Sequence, residues 1–280
     1  VFKNRVELEA GGVLNGYQLA APFESFKDMG HQTGIIFYTE AAYTSTTDPV
    51  TGFRKNLYIS NSAPQEAIVK KIESFDAIGW DNDKKSYFFT YNPVDFVEKK
   101  EKTKTYSKTW TVYANVDRIQ RTRDEHGVWN AELVNPNQRL EDLFTAWGFT
   151  DVHAGDIQSS IIKKYENGEL KGKKETEKGD GERTFFNAFI YAFNLILQLR
   201  NSDTKTAQDF IASPVEPFFA TADAPKPNAC GFNLLNGDSL GAYNIARKGI
   251  ITINRINDNP EKPDLYISKE QWDEWNERMS

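Results

Sequence analysis

The amino-acid sequence predicts a mixed α and β protein that is built from short helices and strands. Apolar residues recur at helical spacing at Ile68, Ile72 and Phe75, which predicts an amphipathic helix. Apolar and polar residues alternate in residues 86–91 and 109–113, which predicts two strands. The chain has 280 residues, of which 39% are hydrophobic and 13% aromatic, so it holds enough apolar material for one large domain or two ordinary ones.

The first elements along the chain are a short helix and a buried strand. Pro22 opens the helix and Gly30 closes it, because proline is favoured in the first turn of a helix and glycine just after the last. Residues 34–39 form an apolar run that is typical of a buried strand. Residues 44–53 are dense in turn-forming residues and predict an irregular loop.

The middle of the chain alternates charged and amphipathic segments. Residues 98–108 are rich in lysine, and we interpret them as a solvated loop or strand edge, with a nucleic-acid contact as the alternative. A short amphipathic helix is predicted around residues 140–147 and ends at Gly148. Residues 163–183 are low in complexity and nearly balanced in charge, which predicts a flexible surface loop.

The longest helix is predicted over residues 184–200. A further helix begins near Asp238, and a final strand is predicted at residues 264–267. The last helix begins at residues 268–271, whose Ser-Lys-Glu-Gln sequence fits a capping box, and the tryptophans that follow give that helix an apolar stripe.

The charge balance and the rare residue types exclude several classes of protein. The 34 lysines and arginines stand against 40 aspartates and glutamates, and the formal charge of −6 excludes a uniformly basic nucleic-acid coat while allowing a basic groove on an acidic body. The single cysteine, Cys230, excludes a disulfide framework and a cysteine-based zinc site, and it is typical of a reducing cytoplasm. The three histidines lie far apart, so we interpret them as structural or surface residues.

The sequence contains no membrane or secretion signal. No apolar run approaches the roughly 20 residues that span a bilayer, so we expect no membrane association. The chain begins at Val1 without the layout of a signal peptide and without an initiating methionine. We therefore expect it to be an excised piece of a longer protein.

Arg200 is the first candidate for a functional residue. In the predicted helix it lies within about 60° of Phe189, Phe193 and Ile196, so a guanidinium continues an apolar face. A charge in that position needs an anion nearby. The structural explanation is contact with the helix dipole or with Asp209 or Glu216, and the functional explanation is a phosphate, which the planar guanidinium fits well.

Asp238 is the second candidate. As a structural residue it would be the N-cap of the helix that follows, and as a functional residue it would be one carboxylate ligand of a magnesium site. A stripe of small and then larger apolar residues along that helix suggests tight packing on a sheet. The stripe consists of Ala242, Ala246, Gly249, Ile250, Ile253 and Ile256.

Several blocks of the sequence together resemble a known family. They are residues 16–26, 29–34, 43–45, 48–53, 197–202, 209–211, 213–215 and 241–249. In their order and spacing these blocks resemble the type V-A CRISPR effector nucleases, the Cas-twelve-a or Cpf family, whereas residues 60–185 match that family loosely. The chain departs from the family at Leu240, where asparagine is usual, and at Thr46, where lysine is common.

The resemblance implies an α+β fold in which a Nuc domain of mixed helices and antiparallel strands is inserted into a partial RNase H-like (RuvC) α/β domain. The implied boundaries are residues 1–52 for a RuvC segment, 53–229 for Nuc and 230–280 for the closing RuvC segment, and the two RuvC segments are expected to pack together.

The resemblance also implies the site. Asp238 corresponds to the third RuvC carboxylate, a catalytic ligand of Mg²⁺, and Arg200 is likewise placed in the catalytic set. Arg200, Ser202 and Asp209 correspond to the polar residues of Nuc that face the substrate strand.

The predicted function is therefore that of the C-terminal part of a CRISPR RNA-guided DNA endonuclease. Nuc would position the DNA strand for Mg²⁺-dependent phosphodiester hydrolysis at the RuvC site, in a prokaryotic cytoplasm, with target DNA and guide CRISPR RNA as partners of the full-length protein. We expect this chain alone to be a monomer and to be inactive. The alternative is a non-catalytic nucleic-acid-binding or scaffold domain in which Asp238 is a helix cap.

Overall fold

A computed structural model describes residues 4–7, 13–16, 41–96, 108–123, 126–175, 182–203, 208–218, 236–259, 264 and 266–279. The helix predicted at Pro22, the strand predicted at residues 34–39 and all of segment 98–108 except Lys108 lie outside these residues, as do His31 and Cys230. None of the helices within the described residues is both long and apolar enough to cross a bilayer.

The chain divides into two compact units. The smaller comprises Val1–Ser45 and Asp238–Trp275, and the larger comprises Thr46–Gly237 and Asn276–Ser280. In chain order the elements are β1 (Asn4–Glu7), β2 (Val13–Gly16), α1 (Gln65–Glu73), β3 (Ala77–Asp81), β4 (Ser86–Tyr91), β5 (Trp110–Tyr113), β6 (Arg118–Arg123), β7 (Trp129–Val134), α2 (Pro136–Ala146), α3 (Gln158–Glu166), β8 (Lys174–Glu175), β9 (Glu182–Arg183), α4 (Phe185–Ile196), β10 (Arg200–Asp203), β11 (Gln208–Ile211), α5 (Gly237–Asp258) and α6 (Lys269–Met279).

The larger unit combines helices with small antiparallel sheets. Strands β3, β4 and β5 form a three-stranded sheet in that order, and the pairs β6–β7, β8–β9 and β10–β11 form two-stranded sheets. The α+β class that the sequence predicts is confirmed. The helix at Ile68 and Ile72, the helix around residues 140–147 and the strands at 86–91 and 109–113 are also confirmed, as α1, α2, β4 and β5.

Helix α4 packs against the three-stranded sheet through aromatic side chains. Alternate residues of β4, namely Tyr87, Phe89 and Tyr91, are buried, as the two-residue period of a strand requires. The ring centroid of Phe193 on α4 lies 5.0 Å from that of Phe89 and 5.1 Å from that of Phe75. Aromatic pairs at such distances contribute about 0.5–1.5 kcal/mol each beyond the burial of their area, so this cluster fixes α4 on the sheet.

The ends of the helices follow from local sequence. The side chain of Asn135 accepts a hydrogen bond from the Gln138 N–H at 3.0 Å, and that of Thr184 accepts one from the Asn187 N–H at 3.2 Å, so both residues are N-caps. Gly148 follows α2 with a φ of +69°, which confirms the glycine predicted to close that helix.

The prediction of a loop over residues 163–183 is wrong for residues 163–166, 174–175 and 182–183, which belong to a helix and two strands. The first residues of this segment complete α3, and Lys174–Glu175 pairs with Glu182–Arg183 as an antiparallel hairpin. The segment is polar because it lies on the surface, and a polar surface helix or hairpin has the same composition as a loop. The ion pair between Lys164 and Glu169 is an example of such a surface contact, with 2.5 Å between Nζ and Oε2.

In the smaller unit, α5 buries the face opposite to the predicted one. Ile250 and Ile253 of the predicted apolar stripe are 53% and 46% exposed, and Ala242 and Ala246 are also exposed. The buried face includes polar residues that bond backbone carbonyls of residues 41–44. Asn244 donates to the carbonyl of Thr44 at 2.7 Å, and Lys248 donates to that of Ala42 at 2.9 Å. These hydrogen bonds are satisfied only with that face turned inward, so the expectation that the stripe packs on a sheet is wrong.

The tail of the smaller unit is held by side-chain hydrogen bonds. The strand predicted at residues 264–267 is wrong for the residues described there, because Arg255 donates to the carbonyls of Asp264 and Tyr266 at 3.0 and 2.7 Å and the segment pairs with no strand among the described residues. The capping box before α6 is confirmed. The Ser268 N–H donates to Gln271 Oε1 at 3.0 Å, and the Gln271 N–H donates to Ser268 Oγ at 3.2 Å.

Candidate nucleic-acid interface

The larger unit contains a cleft of about 460 Å³ that is built from one helical face and two strands. Helix α4 and the residues after it supply Tyr191, Leu195 and Gln198, whose spacing places them on one side of a helix. Strand β6 supplies Ile119 and Arg121, and β10 supplies Arg200 and Ser202. In each strand the two residues are two positions apart, so their side chains point to the same face. Thr46 completes the lining.

Arg200 lies at the start of β10 and not in the last turn of α4, so the predicted helix over residues 184–200 is too long. Helix α4 ends at Ile196, whose carbonyl accepts a hydrogen bond from Nη2 of the buried Arg118 at 3.3 Å. Burial lowers the pKa of the Arg118 guanidinium to about 9, which still leaves it protonated at neutral pH. Its charge meets the negative end of the helix dipole and satisfies a terminal carbonyl, which favours the end of the helix at this point.

Asn201 fixes β10 against β6. Its side chain is fully buried, and its Oδ1 accepts hydrogen bonds from the Ile119 N–H at 2.9 Å and from Gln198 Nε2 at 2.8 Å. Gln198 also donates to the Ile119 carbonyl at 3.1 Å. Asn201 stands between Arg200 and Ser202 in β10, and successive side chains of a strand point to opposite faces. With Asn201 held on the buried face, Arg200 and Ser202 both point into the cleft.

Arg200 forms an ion pair with Asp209. Nη2 of Arg200 lies 3.2 Å from Oδ2 of Asp209, and both side chains are about a quarter exposed, at 27% and 24%. In the β10–β11 register Asp209 faces Ser202, so Arg200 reaches it as a diagonal neighbour. Of the two intrachain partners that the sequence allows, Asp209 is therefore the one used, and Glu216 instead pairs with Lys84 at 2.6 Å.

Gly237, which belongs to the larger unit, lies against the same ion pair. The Gly237 N–H donates to Asp209 Oδ1 at 3.4 Å, so this carboxylate holds both the guanidinium and the first residue of the helix. A Cβ at Gly237 would overlap the guanidinium of Arg200 and would lie 2.6 Å from its Cδ. Gly237 is thus required for the observed position of Arg200.

Arg121 is a cleft residue that the sequence analysis did not identify. Its side chain is exposed, and Nη2 donates to the carbonyl of Ser202. A signal was present in the sequence, because the six residues of β6 contain three arginines at positions 118, 121 and 123. Among the described residues that line the cleft, there are two guanidiniums and no carboxylate.

Asp48 anchors the loop at residues 48–53, and the sequence analysis did not identify this structural role. It is fully buried and accepts hydrogen bonds from the hydroxyls of Thr51 and Ser213 at 2.7 Å each, and from the Val50 N–H at 2.9 Å. Burial raises the pKa of the Asp48 carboxyl, although its hydrogen bonds act in the opposite direction. Two blocks of the family resemblance, 48–53 and 213–215, therefore meet at one buried carboxylate.

Asp238 lies in the smaller unit as the second residue of α5, and its side chain is exposed. The helix begins at Gly237, so Asp238 is in the first turn and not at the N-cap. Among the described residues, no group of three or more histidine, cysteine, aspartate or glutamate side chains could hold a metal ion. A magnesium site for phosphodiester hydrolysis needs several oxygen ligands, so the described carboxylates alone do not fit one.

The geometry defines an α+β domain with a cleft on whose surface guanidinium, hydroxyl and amide groups converge. Comparison with protein families agrees with this class. The family model Nuc, described as a nuclease domain, matches residues 47–223, which is more than half of the chain and includes every cleft residue except Thr46. The chain belongs to the Nuc nuclease-domain family.

Proposed function

We propose that this chain is the C-terminal part of a type V-A CRISPR RNA-guided DNA endonuclease, and that its Nuc domain positions a DNA strand for hydrolysis. The observation that carries the proposal is the cleft, which presents Arg121, Arg200 and Ser202 within the residues that match the nuclease-domain family. The sequence blocks that resemble the Cas-twelve-a family support the finer assignment. The proposal includes the boundaries 1–52, 53–229 and 230–280 for the RuvC and Nuc segments.

In this function Arg200 binds a phosphate of the DNA strand. The Arg200 side chain is about a quarter exposed, so a phosphate oxygen can approach the exposed part of the guanidinium while the ion pair with Asp209 is kept. Asp209 then orients Arg200, and Ser202 on the same strand face adds a hydroxyl that can donate to the same backbone. Selection of the DNA sequence comes from pairing with the guide RNA and not from these side chains.

The proposed cofactor of the full-length enzyme is Mg²⁺, with Asp238 as one of its ligands. The other ligands are not among the described carboxylates, so we assign no catalytic step to the ion in this chain. The proposal places target DNA and guide CRISPR RNA as partners of the full-length protein in a prokaryotic cytoplasm, and this chain alone as an inactive monomer.

The test uses the full-length enzyme that the gene encodes, loaded with a guide RNA. Arg200→Ala should slow cutting of the guide-paired strand more than cutting of the displaced strand, because the phosphate contact is proposed for the guide-paired strand. Both rates are measured on a duplex with differently labelled strands. Equal slowing of the two strands would refute a positioning role for Arg200.

A second candidate function is a non-catalytic nucleic-acid-binding or scaffold domain. The observation that favours it is that, within the part of the chain that the structure describes, Asp238 belongs to no group of three or more side chains that could hold a metal ion. The two functions are distinguished by the gene. An upstream strand that bears an aspartate, followed by a later glutamate motif, supports the nuclease, and a gene without them supports the binding domain.

A further inference from the structure

We infer that Arg121 is a second phosphate-binding residue, which together with Arg200 holds adjacent phosphates of one DNA strand in the cleft. This inference rests on the proposed function and adds a residue that neither the family match nor the sequence resemblance identifies. The two arginines project from neighbouring strands, β6 and β10, which are linked through Asn201 and Ile119.

The position of Arg121 is set by the backbone of the other strand. Its Nη2 donates to the Ser202 carbonyl, so the guanidinium is held beside β10 at the same surface as Arg200. A guanidinium has five N–H donors, so this hydrogen bond leaves donors for a phosphate. The side chain is exposed, which means that binding a phosphate needs no rearrangement of the core.

The charge and size of the cleft favour a single strand. Its described lining has two guanidiniums and no carboxylate, and Asp209 pairs with Arg200 from outside the lining. Arg121 therefore supplies most of the positive potential of the cleft, on a chain whose formal charge is −6. The volume of about 460 Å³ lies in the range of roughly 300–1,000 Å³ that holds a drug-sized ligand. A nucleotide is a ligand of this class, so we expect the cleft to take a short piece of one strand.

The same strand provides a matched control. Arg123 lies two residues after Arg121 on β6 and is also exposed, but it does not line the cleft. It donates to the Gly127 carbonyl at 2.9 Å, and its guanidinium lies 5.4 Å from the centroid of the Trp129 ring. Arg121→Ala and Arg123→Ala thus remove the same charge from the same strand, on and off the proposed site.

The experiment measures binding of the 280-residue chain to fluorescein-labelled oligo(dT) by anisotropy. The oligonucleotide has about 16 nucleotides, and salt is varied over roughly 50–200 mM. Arg121→Ala should weaken binding about three- to tenfold and reduce the slope of log K against log salt by about 0.7, the value for one phosphate contact on a single strand. Arg121→Lys, which keeps the charge, should retain the slope, and Arg123→Ala should change neither quantity.

The outcomes separate this inference from the proposed function. If Arg200→Ala weakens binding but Arg121→Ala behaves like Arg123→Ala, the role of Arg121 is refuted and the proposed function stands. If the unmutated chain shows no salt-dependent binding of the oligonucleotide, the inference about Arg121 is refuted, whereas the proposed function is tested separately by strand cutting in the full-length enzyme. If Arg121→Lys loses the slope as completely as Arg121→Ala, the effect comes from a disturbed Ser202 backbone, and the phosphate contact is refuted.

Discussion

The hydrogen bond between Asp48 and Ser213 should couple two segments that are 165 residues apart in sequence. Asp48→Ala removes the acceptor of two hydroxyls and of the Val50 N–H, and each buried donor left unsatisfied costs about 1–3 kcal/mol. The Ser213 hydroxyl can still donate to the Val215 carbonyl, at 3.0 Å, so part of the loss is recovered. We therefore expect Asp48→Ala to lower the free energy of unfolding by about 3–5 kcal/mol.

Ser213→Ala should have a smaller effect. The Asp48 carboxylate keeps its hydrogen bond from Thr51, while the Val215 N–H loses the Ser213 hydroxyl as its acceptor at 3.3 Å. The expected cost is about 1–2 kcal/mol. In a double-mutant cycle measured by urea unfolding, the two losses should be non-additive by about 1 kcal/mol, the worth of the one hydrogen bond that both substitutions break. Strict additivity would show that this hydrogen bond does not join the segments.

The same carboxyl predicts a pH dependence. Burial raises the pKa of folded Asp48 above its ordinary value of 3.8, so the folded state binds this proton more readily than the unfolded chain does. Ionised Asp48 therefore costs folding free energy above its folded-state pKa, and that cost is removed as the pH falls through this pKa toward 3.8. As the pH falls through this window, the free energy of unfolding of the unmutated chain should rise relative to that of Asp48→Asn, whose side chain does not titrate. A flat or falling difference would contradict burial as the dominant influence.

Three further predictions concern the cleft, the core and catalysis. Gly237→Ala should displace Arg200 and weaken oligo(dT) binding about as much as Arg200→Ala, and unchanged binding would contradict the overlap between the new Cβ and the guanidinium. The control is Gly249→Ala, whose Cβ meets nothing within 4 Å: it should leave oligo(dT) binding unchanged and raise the free energy of unfolding by about 0.5–1 kcal/mol. Phe193→Ala should lower the free energy of unfolding by about 3–5 kcal/mol, because its side chain is fully buried. A loss below about 0.5 kcal/mol, which is usual for a surface substitution, would contradict its place in the core. This chain alone should not cleave single-stranded DNA with Mg²⁺ or Mn²⁺, and cleavage that Asp238→Ala abolishes would show a complete site within these residues.

Elements with a strong periodic pattern and clear end signals could be predicted from the sequence. Helix α2 combines an apolar face with a closing glycine, and α6 begins with a capping box whose two reciprocal hydrogen bonds are both present. The end of α4 could not be predicted in this way. It depends on Arg118, which lies 78 residues earlier and reaches the last carbonyl of the helix only after the chain has folded.

The buried face of α5 could not be predicted from its pattern of apolar residues. Its apolar stripe predicts the wrong face, because hydrophobicity alone cannot foresee that Asn244 and Lys248 find backbone acceptors in residues 41–44. A buried polar side chain is favourable where its hydrogen bonds are satisfied, and such partners are distant in sequence. The same reason hides Arg121, whose position depends on the carbonyl of Ser202 on another strand.

The buried residues that fix the fold of the larger unit differ from the exposed residues that give the cleft its charge. Asp48, Asn201 and Ser213 lie in blocks that resemble the nuclease family, and all three are fully buried and hydrogen-bonded. Asn201 holds strand β10 against β6, and the bond between Ser213 and Asp48 joins residues 48–53 to residues 213–215, so these side chains are fixed by the fold. Arg121 lies in the stretch that matches loosely, on an exposed position where substitution costs little stability. Removing Arg121 should therefore change the charge of the cleft at little cost in stability, so the loss of oligo(dT) binding in Arg121→Ala measures the contribution of Arg121 to binding and not a loss of fold.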